Sequence, residues 1–201
     1  MTQINVDRQI GFFAPARWGK TNGIANFVSS IPAPIIIYDT NHEWENQPNL
    51  KFIVNKKGNA IIFKPDYQRE GDIEYLNQFI KIIREKRSNI WIYIEDIEKF
   101  YNDETRGKSG FYGEIKELSE RGGHQRIGLI YSAKQFKYIP KSLISNTNLF
   151  YIGSFVEGRD ISIANGMLKP EFDSSDLHKP QFVKLDRWSG EKSIVTFNKI
   201  F

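Results

Sequence analysis

Residues 14–21 read A-P-A-R-W-G-K-T and follow a short apolar run at residues 10–13. A strand, a glycine-containing turn and a helix opening on G-K-[ST] form a phosphate-binding loop, usually written G-x-x-x-x-G-K-[ST]. The last three residues, Gly19 to Thr21, keep this spacing, whereas Ala14 occupies the place of the first glycine. The stretch therefore predicts a strand, a phosphate loop and a helix, which is how many α/β folds begin.

The chemistry of such a loop gives its polar residues distinct roles. Backbone N–H groups at the start of a helix point at phosphate oxygens, and the helix dipole favours negative charge there. We expect the Lys20 ammonium to reach the β- and γ-phosphates of a nucleoside triphosphate, and the Thr21 hydroxyl to ligate Mg²⁺. Two alternatives remain. Trp18 packs within the protein instead of contacting the nucleotide, or the whole motif is a chance G-K-T in an ordinary turn. The residues expected to contact the nucleotide are Ala14, Pro15, Ala16, Arg17, Trp18, Gly19, Lys20, Thr21 and Asn22.

Composition limits the remaining possibilities. The chain has 201 residues and a net charge of +4, which suits one α/β domain and permits contact with nucleic acid. We place the core at residues 9–155 and a C-terminal extension with a hairpin at residues 156–201. The sequence contains no cysteine and its three histidines lack ligand spacing, so disulfides and a zinc site are not expected. No run approaches the roughly 20 apolar residues of a membrane span, and we expect a cytoplasmic protein.

Apolar runs and amphipathic segments alternate along the chain, as in an α/β fold with a largely parallel sheet. Asp72 is the expected N-cap of the clearest amphipathic helix. Strands are predicted at residues 9–13, 35–38, 51–54, 60–63, 90–94, 127–133 and 148–154, helices at residues 20–29, 72–87 and 111–120, loops at residues 102–110 and 136–145, and a hairpin from residues 182–185 and 193–197. The predicted fold class is α/β, with a mostly parallel central sheet flanked by helices and a C-terminal β-hairpin.

Two adjacent acids, Glu95 and Asp96, follow directly on the apolar run I-W-I-Y-I at residues 90–94. Phosphate-loop hydrolases place a carboxylate at a strand end near the loop, where it helps to hold Mg²⁺. Many use a second, adjacent carboxylate to polarise the attacking water. We therefore expect Glu95 to serve Mg²⁺ and Asp96 to orient the water, although the usual order is Asp before Glu. The alternative is a charged turn after a core strand.

The next predicted strand, residues 127–133, ends in Lys134 and Gln135. A glutamine in this place can hydrogen-bond the attacking water or the γ-phosphate and report loss of that phosphate to the loop at residues 136–145. An ordinary solvated strand end is the alternative. The position of Gln135 one strand after the acid pair favours a catalytic role.

Two further segments form a pattern with the phosphate loop. Residues 39–44, D-T-N-H-E-W, are similar to D-P-x-G-E-[YF], with Pro and Gly replaced. Residues 126–146, R-I-G-L-I-Y-S-A-K-Q-F-K-Y-I-P-K-S-L-I-S-N, are similar to a strand ending in A-T-Q, followed by P-x-x-[IL] and another strand. In this order the segments resemble the FtsK–HerA superfamily of DNA-pumping ATPases. The resemblance covers residues 9–155.

Within that superfamily, a chain of 201 residues is most like the genome-packaging ATPases of membrane-containing icosahedral viruses. The Ile-, Lys- and Tyr-rich, cysteine-free composition resembles that of the turreted icosahedral viruses of hot-spring archaea. The resemblance implies a RecA-like P-loop NTPase fold of the ASCE division, with ATP and Mg²⁺ as ligands. It also implies a homo-oligomeric ring that translocates double-stranded DNA into a preformed capsid. The location would be the host cytoplasm, with capsid or membrane proteins of the virion vertex as further partners.

Ring ATPases of this kind commonly complete each active site with an arginine from the neighbouring subunit. Arg121, at the end of the helix predicted at residues 111–120, is the first candidate for this catalytic role. Arg106, Arg126 and Arg159 are the other candidates.

Contact with DNA should involve the phosphate backbone and be independent of sequence. The candidate contact residues are Arg106 and Lys108, or Lys134, Lys137 and Lys141. The alternative for each is a charge that only keeps the protein in solution.

Three other functions remain open from the sequence. One is a HerA/VirB4-like or filamentous-phage assembly ATPase that moves another polymer. A second is a nucleotide-dependent assembly switch with little turnover, which Ala14 and the order Glu95-Asp96 keep open. A small-molecule kinase is the third, and the strand-end glutamine and the D-x-x-x-E-W segment argue against it.

Overall fold

The structure is a computed structural model that describes residues 8–66, 72–101 and 113–198. Its strands are β1 (Gln9–Phe13), β2 (Ile35–Tyr38), β3 (Ala60–Phe63), β4 (Ile90–Ile94), β5 (Ile127–Ala133), β6 (Leu149–Ile152), β7 (Gln181–Asp186) and β8 (Lys192–Thr196). Its α-helices are α1 (Lys20–Ser30), α2 (Glu43–Asn46), α3 (Pro48–Lys57), α4 (Ile73–Lys86), α5 (Glu114–Arg121), α6 (Lys141–Asn146) and α7 (Gly158–Leu168). Short 3₁₀ helices lie at Ile97–Phe100, Gly122–Gln125 and Ser174–Asp176.

The described strands form one sheet in the order β3-β2-β4-β5-β1-β6-β7-β8. The strands from β3 to β6 in this order are parallel, and β7 and β8 extend the sheet antiparallel. Strand β5 lies between β1 and β4, with Ile130 in register with both Ile10 and Tyr93. Because parallel strands end at the same edge, the loop after β1 and the acids after β4 meet there.

Helices cover both faces of the sheet because its central strands are apolar on both sides. All residues of β1, β2, β4 and β5 are buried, as in a parallel sheet between two helical layers. Phe12 belongs to the core cluster that contains Ile24 of α1, and Phe13 belongs to the cluster that contains Ile80 of α4. The sequence thus forms three layers, and the α/β class is confirmed.

The Trp91 ring fills the space beside Gly128 on the neighbouring strand. A Cβ atom built at Gly128 would lie 2.4 Å from that ring, closer than any real contact. Glycine at this position therefore lets the indole lie flat against β5.

The C-terminal hairpin is part of the main sheet, and its prediction is confirmed. Strand β7 pairs with β6 and β8 pairs with β7, which buries Phe182 in the core. The chain then crosses α1, where the carbonyl of Asn198 accepts hydrogen bonds from the amides of Asn22 at 2.7 Å and Asn26 at 2.9 Å. The end of the described chain is thus fixed to the helix that follows the phosphate loop.

The prediction of an extended piece at residues 51–54 is wrong, because these residues lie in helix α3. Pro48 opens this helix, and its buried residues Leu50 and Val54 are spaced four apart, which is helical spacing. The helix ends at Gly58, whose φ of 73° lies in the left-handed region. Three consecutive apolar residues suggested a strand, but the first of them, Phe52, is 64% exposed.

The other differences concern helices that the sequence patterns did not predict. The loop predicted at residues 136–145 contains the start of α6, and helices α2 and α7 were not predicted.

Asp72 is confirmed as the N-cap of α4, since it accepts hydrogen bonds from the N–H groups of Glu74 and Tyr75. The predicted loop at residues 102–110 and the first two residues of the helix predicted at 111–120 lie outside the described residues. No described helix is long and apolar enough to cross a membrane.

Candidate functional site

A cavity of about 530 Å³ opens at the carboxyl ends of the parallel strands, where the phosphate loop faces the acid pair. This edge of a parallel sheet is where α/β proteins bind their ligands. The residues that line the cavity are Ala16, Arg17, Gly19, Lys20, Thr21, Asn22, Asn41, Glu43, Gln47, Glu95, Asp96, Ser132 and Lys134.

The phosphate loop connects β1 to the first turn of α1. Two of its residues are left-handed, Arg17 with a φ of 60° and Gly19 with a φ of 108°. Gly19 caps α1, and its carbonyl accepts the first helical hydrogen bond from Gly23 at 2.9 Å. The loop therefore presents the start of α1 to the cavity, as phosphate binding requires.

Three loop residues expected at the nucleotide are not among those lining the cavity. Ala14 is buried, and the carbonyl of Pro15 accepts a hydrogen bond from the ammonium of Lys20. The indole of Trp18 donates a hydrogen bond to the carbonyl of Gln181 at 2.8 Å and packs beside Gly153. Trp18 thus makes the local packing that was the alternative for it.

Lys20 lies within the loop, with its ammonium directed at the loop's own backbone. It donates hydrogen bonds to the carbonyls of Ala14 at 2.6 Å and Pro15 at 3.0 Å. Burial lowers the pKa of Lys20, and the nearby charges of Asp96 and Glu98 only partly offset this. A buried ammonium whose hydrogen bonds within the described residues go to neutral carbonyls is placed to gain from a phosphate group brought into the cavity.

The acid Glu95 is almost fully buried, with 2% of its surface exposed. One of its carboxylate oxygens accepts a hydrogen bond from the N–H of Asn41 at 3.2 Å. Burial raises the pKa of Glu95 well above its usual value, and the charges of Glu43, Asp39 and Asp96 raise it further. The negative charge at this position exceeds the positive charge next to it, which favours binding of a cation.

Asp96 is held by contacts from two neighbouring strands. It has a left-handed φ of 43°, and its N–H donates to the hydroxyl of Ser132 at 3.0 Å. One carboxylate oxygen accepts from both the amide of Asn41, at 2.9 Å, and the ammonium of Lys134. Burial acts to lower the pKa of Lys134, but the hydrogen bond and charge of Asp96, with the charges of Glu98 and Glu95, raise it overall. Lys134 is thus a second ammonium group at the cavity, beside Lys20.

The D-T-N-H-E-W segment after β2 forms one wall of the cavity. Asp39 accepts hydrogen bonds from the N–H groups of Glu43, Trp44 and Glu45, which fixes the short helix α2. This places the carboxylate of Glu43 where it accepts a hydrogen bond from the hydroxyl of Thr21 at 3.2 Å. The segment therefore joins the phosphate loop to the acid pair.

The oxygen groups at the cavity suit Mg²⁺, which prefers hard oxygen ligands and retains several waters. Residues 8–66, 72–101 and 113–198 contain no cluster of three His, Asp or Glu side chains arranged as a ready-made metal site. A phosphate loop needs no such cluster, because nucleotide phosphates and water complete the coordination. The hydroxyl of Thr21, the uncompensated charge around Glu95 and the nearby Glu43 are the features that fit the ion.

Gln135 points away from the residues that line the cavity. Its amide donates to the carboxylate of Glu157 at 2.6 Å on the exposed surface. The residue before it, Lys134, lines the cavity instead. The catalytic role expected for Gln135 stays a prediction, and it requires the amide to leave Glu157.

Arg121 lies at the far end of β5 from the cavity. Seven residues of strand separate the two ends, which is about 20 Å at the usual rise per residue. Its side chain is 68% exposed and pairs only loosely with Glu117, at 3.5 Å. Arg121 cannot reach the cavity of its own chain, whereas it is accessible to another subunit.

The remaining basic candidates occupy separate surfaces. Arg126 and Arg159 are exposed, as is Lys141 in the first turn of α6. Lys137 pairs with Glu157 at 3.0 Å and lies over the ring of Tyr138. Arg106 and Lys108 lie outside the described residues.

Several residues at the cavity were not assigned a role there from the sequence. Asn41 and Glu43 belong to the D-T-N-H-E-W segment, so the motif was visible but its contacts were not. Lys134 was considered only for DNA contact. Ser132 was hidden inside an apolar strand, and no sequence signal distinguishes it from a core residue.

No protein-family model matches the sequence. No curated protein matches it either. Among solved structures, this chain is similar to the genome-packaging NTPase B204 of Sulfolobus turreted icosahedral virus 2 in complex with ATPγS. The two are 17% identical with a TM-score of 0.72, and the match covers 98% of this chain and 100% of that chain. The DNA-packaging ATPase B204 of Sulfolobus turreted icosahedral virus gives 17% identity, a TM-score of 0.74 and the same coverage, 98% and 100%.

A third similar structure is the pCW3 conjugation coupling protein TcpA with ATPγS. It is 15% identical with a TM-score of 0.62, and the match covers 95% of this chain and 60% of that chain. At these identities the similarity establishes the fold. The RecA-like P-loop fold and the structural resemblance to packaging ATPases, both predicted from the sequence, are confirmed at that level.

Proposed function

We propose that the chain is an ATPase that translocates double-stranded DNA during the packaging of a viral genome. The observation that carries the proposal is the convergence of the phosphate loop, the acid pair and the D-T-N-H-E-W segment on one cavity. Each supplies a part that phosphoryl transfer to water needs: phosphate binding, a place for Mg²⁺ and a carboxylate to orient water.

The residues at the cavity divide the work of hydrolysis. The backbone at the start of α1 and the ammonium of Lys20 bind the β- and γ-phosphates, and Arg17 lines the same cavity. Thr21 and Glu95 would hold Mg²⁺, which supplies charge neutralisation at the phosphate oxygens. Asp96 accepts a proton from the attacking water and orients it. Burial of these groups strengthens their electrostatic effect on the developing charge.

Assembly into a ring is the second part of the proposal. Arg121 is exposed at the edge of the sheet opposite the cavity, so a ring that brings this edge against a neighbour's cavity would use it there. Such a residue stabilises charge on the transferred phosphoryl group. Activity would then depend on subunit contact, which couples hydrolysis to the position of the subunits around DNA.

DNA and the virion supply the remaining partners in this proposal. The B204 proteins with the same fold are described as genome-packaging or DNA-packaging enzymes. The net charge of +4 favours contact with the phosphate backbone, for which the exposed Lys141 and the half-buried Lys137 are candidates. We place the working protein in the host cytoplasm, at the vertex of a preformed capsid.

The test is ATP turnover measured with and without long double-stranded DNA, at several protein concentrations. We expect turnover that requires Mg²⁺, rises with protein concentration and is stimulated by long DNA regardless of its sequence. Displacement of a third strand from a DNA triplex would report translocation separately from hydrolysis. If long DNA does not stimulate turnover and no strand is displaced from the triplex, the proposed DNA translocation is overturned. The ATPase activity would remain.

An assembly switch with little turnover is the second candidate. The observation that favours it is the set of internal contacts made by Lys20, which binds the loop's own carbonyls, and by Asp96, which binds Lys134. Tight binding of ATP, ring formation and negligible release of phosphate in the presence of DNA would support this alternative.

A further inference from the structure

We propose that the ammonium of Lys134 changes partner, from Asp96 to the γ-phosphoryl group, when a nucleoside triphosphate binds. The triphosphate draws the ammonium away from Asp96 and frees that carboxylate to orient water, which a diphosphate cannot do. This inference rests on the proposed function, and it adds a regulatory contact to the same cavity.

The first support is the position of Lys134. It follows β5 directly, and its backbone N–H donates to the carboxylate of Glu98 at 2.9 Å, which fixes the base of the side chain. The rest of the side chain is 43% exposed and reaches into the cavity. A lysine stem has four rotatable bonds, so a fixed base still allows the ammonium to change partner.

The second support is the double use of one oxygen of Asp96. That oxygen accepts from the ammonium of Lys134 and also from the amide of Asn41 at 2.9 Å. When Lys134 leaves, Asn41 keeps the carboxylate in place, and the charge of Asp96 is no longer neutralised by a contact cation. While this oxygen accepts from both Asn41 and Lys134, its acceptor positions are occupied, so departure of the ammonium opens a position that can accept a hydrogen bond from water.

The third support is the pair of ammonium groups in one cavity. Lys134 and Lys20 lie close enough that the charge of one acts on the other, and both lie near Asp96. The γ-phosphoryl group has several oxygens, so it can accept hydrogen bonds from both ammonium groups at once. The γ-phosphoryl group carries more charge than a carboxylate and therefore competes for the second ammonium.

The cavity location favours a nucleotide phosphate over the phosphates of DNA as the partner of Lys134. Lys134 lines the same cavity as Gly19, Lys20 and Thr21 of the phosphate loop. DNA as the partner is the competing outcome of the test.

The test is a cycle of binding measurements on the full chain with Mg²⁺ and without DNA. Calorimetry would give affinities for ATPγS and for ADP with the wild type, Lys134→Met, Asp96→Asn and the double variant. We expect Lys134→Met to lose about tenfold in affinity for ATPγS and less than about twofold for ADP, the scale of one charge-assisted hydrogen bond. Lys134→Arg should retain most of the preference for ATPγS.

The Asp96→Asn arm distinguishes sharing from a simple charge effect. Asp96→Asn should strengthen ATPγS binding when Lys134 is present, because it removes the competitor for the ammonium. The gain should be absent, or much smaller, in the Lys134→Met background. Lys116→Met is the matched control, since the Lys116 side chain is 45% exposed and pairs with Glu120 at 3.8 Å on α5.

Several outcomes overturn the inference. Equal losses of ATPγS and ADP affinity in Lys134→Met would mean that the ammonium acts on the cavity as a whole. If Asp96→Asn strengthens ATPγS binding equally with Lys134 present and in Lys134→Met, Asp96 does not compete with the γ-phosphoryl group for the ammonium of Lys134. Unchanged nucleotide affinities with weaker DNA binding would assign Lys134 to DNA. A wild-type protein that binds no ATPγS would refute the proposed function itself, whereas the other outcomes leave it standing.

Discussion

Replacing Glu98 by glutamine should change how the stability of the fold depends on pH. Burial, together with the charge of Asp96, raises the pKa of Glu98 from 4.5 to about 7. One carboxylate oxygen accepts the N–H of Lys134, and the other is buried without a hydrogen-bond partner in the described part of the chain. Glutamine keeps the acceptor for Lys134 and removes the charge.

The sign follows from the proton bound in each state. Between pH 4.5 and 7 the folded protein keeps a proton on Glu98 that the unfolded chain has lost, so stability falls as the pH rises through this window. The difference of about 2.5 pKa units corresponds to about 3 kcal/mol of stability lost by pH 8. The glutamine side chain in Glu98→Gln does not titrate. Its free energy of unfolding relative to the wild type should therefore rise by up to about 3 kcal/mol between pH 4.5 and pH 8.

Urea unfolding at a series of pH values, in buffer with EDTA and without nucleotide, measures this difference directly. Glu120→Gln, at an exposed position of α5, is the control for loss of one acidic charge. A difference between Glu98→Gln and the wild type that stays constant with pH would show that folding does not raise the pKa of Glu98. So would a difference that falls as the pH rises.

Three further predictions concern the site and the core. Asp96→Asn should bind ATP with Mg²⁺ but hydrolyse it slower by about two decades or more, and the phenotype appearing in Glu95→Gln instead would reverse the two roles. Excess Arg121→Ala mixed with wild type should reduce phosphate release by more than dilution, whereas strictly proportional activity would indicate a self-sufficient monomer. Gly128→Ala should destabilise the fold by about 1–3 kcal/mol in thermal or urea unfolding, because its Cβ meets the Trp91 ring. Unchanged stability would show that the ring moves freely.

The overall fold was predictable because its main signals are local. The strand I-W-I-Y-I is apolar on every residue, which indicates burial on both faces without knowledge of its neighbours. The phosphate loop fixes the first strand and helix by its own sequence. By contrast, residues 51–54 of α3 form too short a run to distinguish a period of two from one of 3.6, and they were assigned to the wrong element.

The site was predictable only as far as its motifs were contiguous. The loop and the acid pair were found, but the contact between Thr21 and Glu43 joins residues from different elements. Lys134 and Gln135 are neighbours in sequence, yet one faces the cavity and the other faces Glu157. No sequence pattern sets which of two residues after a strand turns inward, because that depends on how the following loop packs.

Phosphate release from ATP should be measured for the wild type and for Lys20→Ala, each shown to be folded. We expect Mg²⁺-dependent turnover in the wild type and a loss of at least about a hundredfold in Lys20→Ala, because the β- and γ-phosphates lose their main counterion. The fold should survive, since among the described residues the ammonium of Lys20 donates its hydrogen bonds to carbonyls of its own loop. Unchanged turnover in a folded Lys20→Ala protein would show that this loop is not the site of ATP hydrolysis.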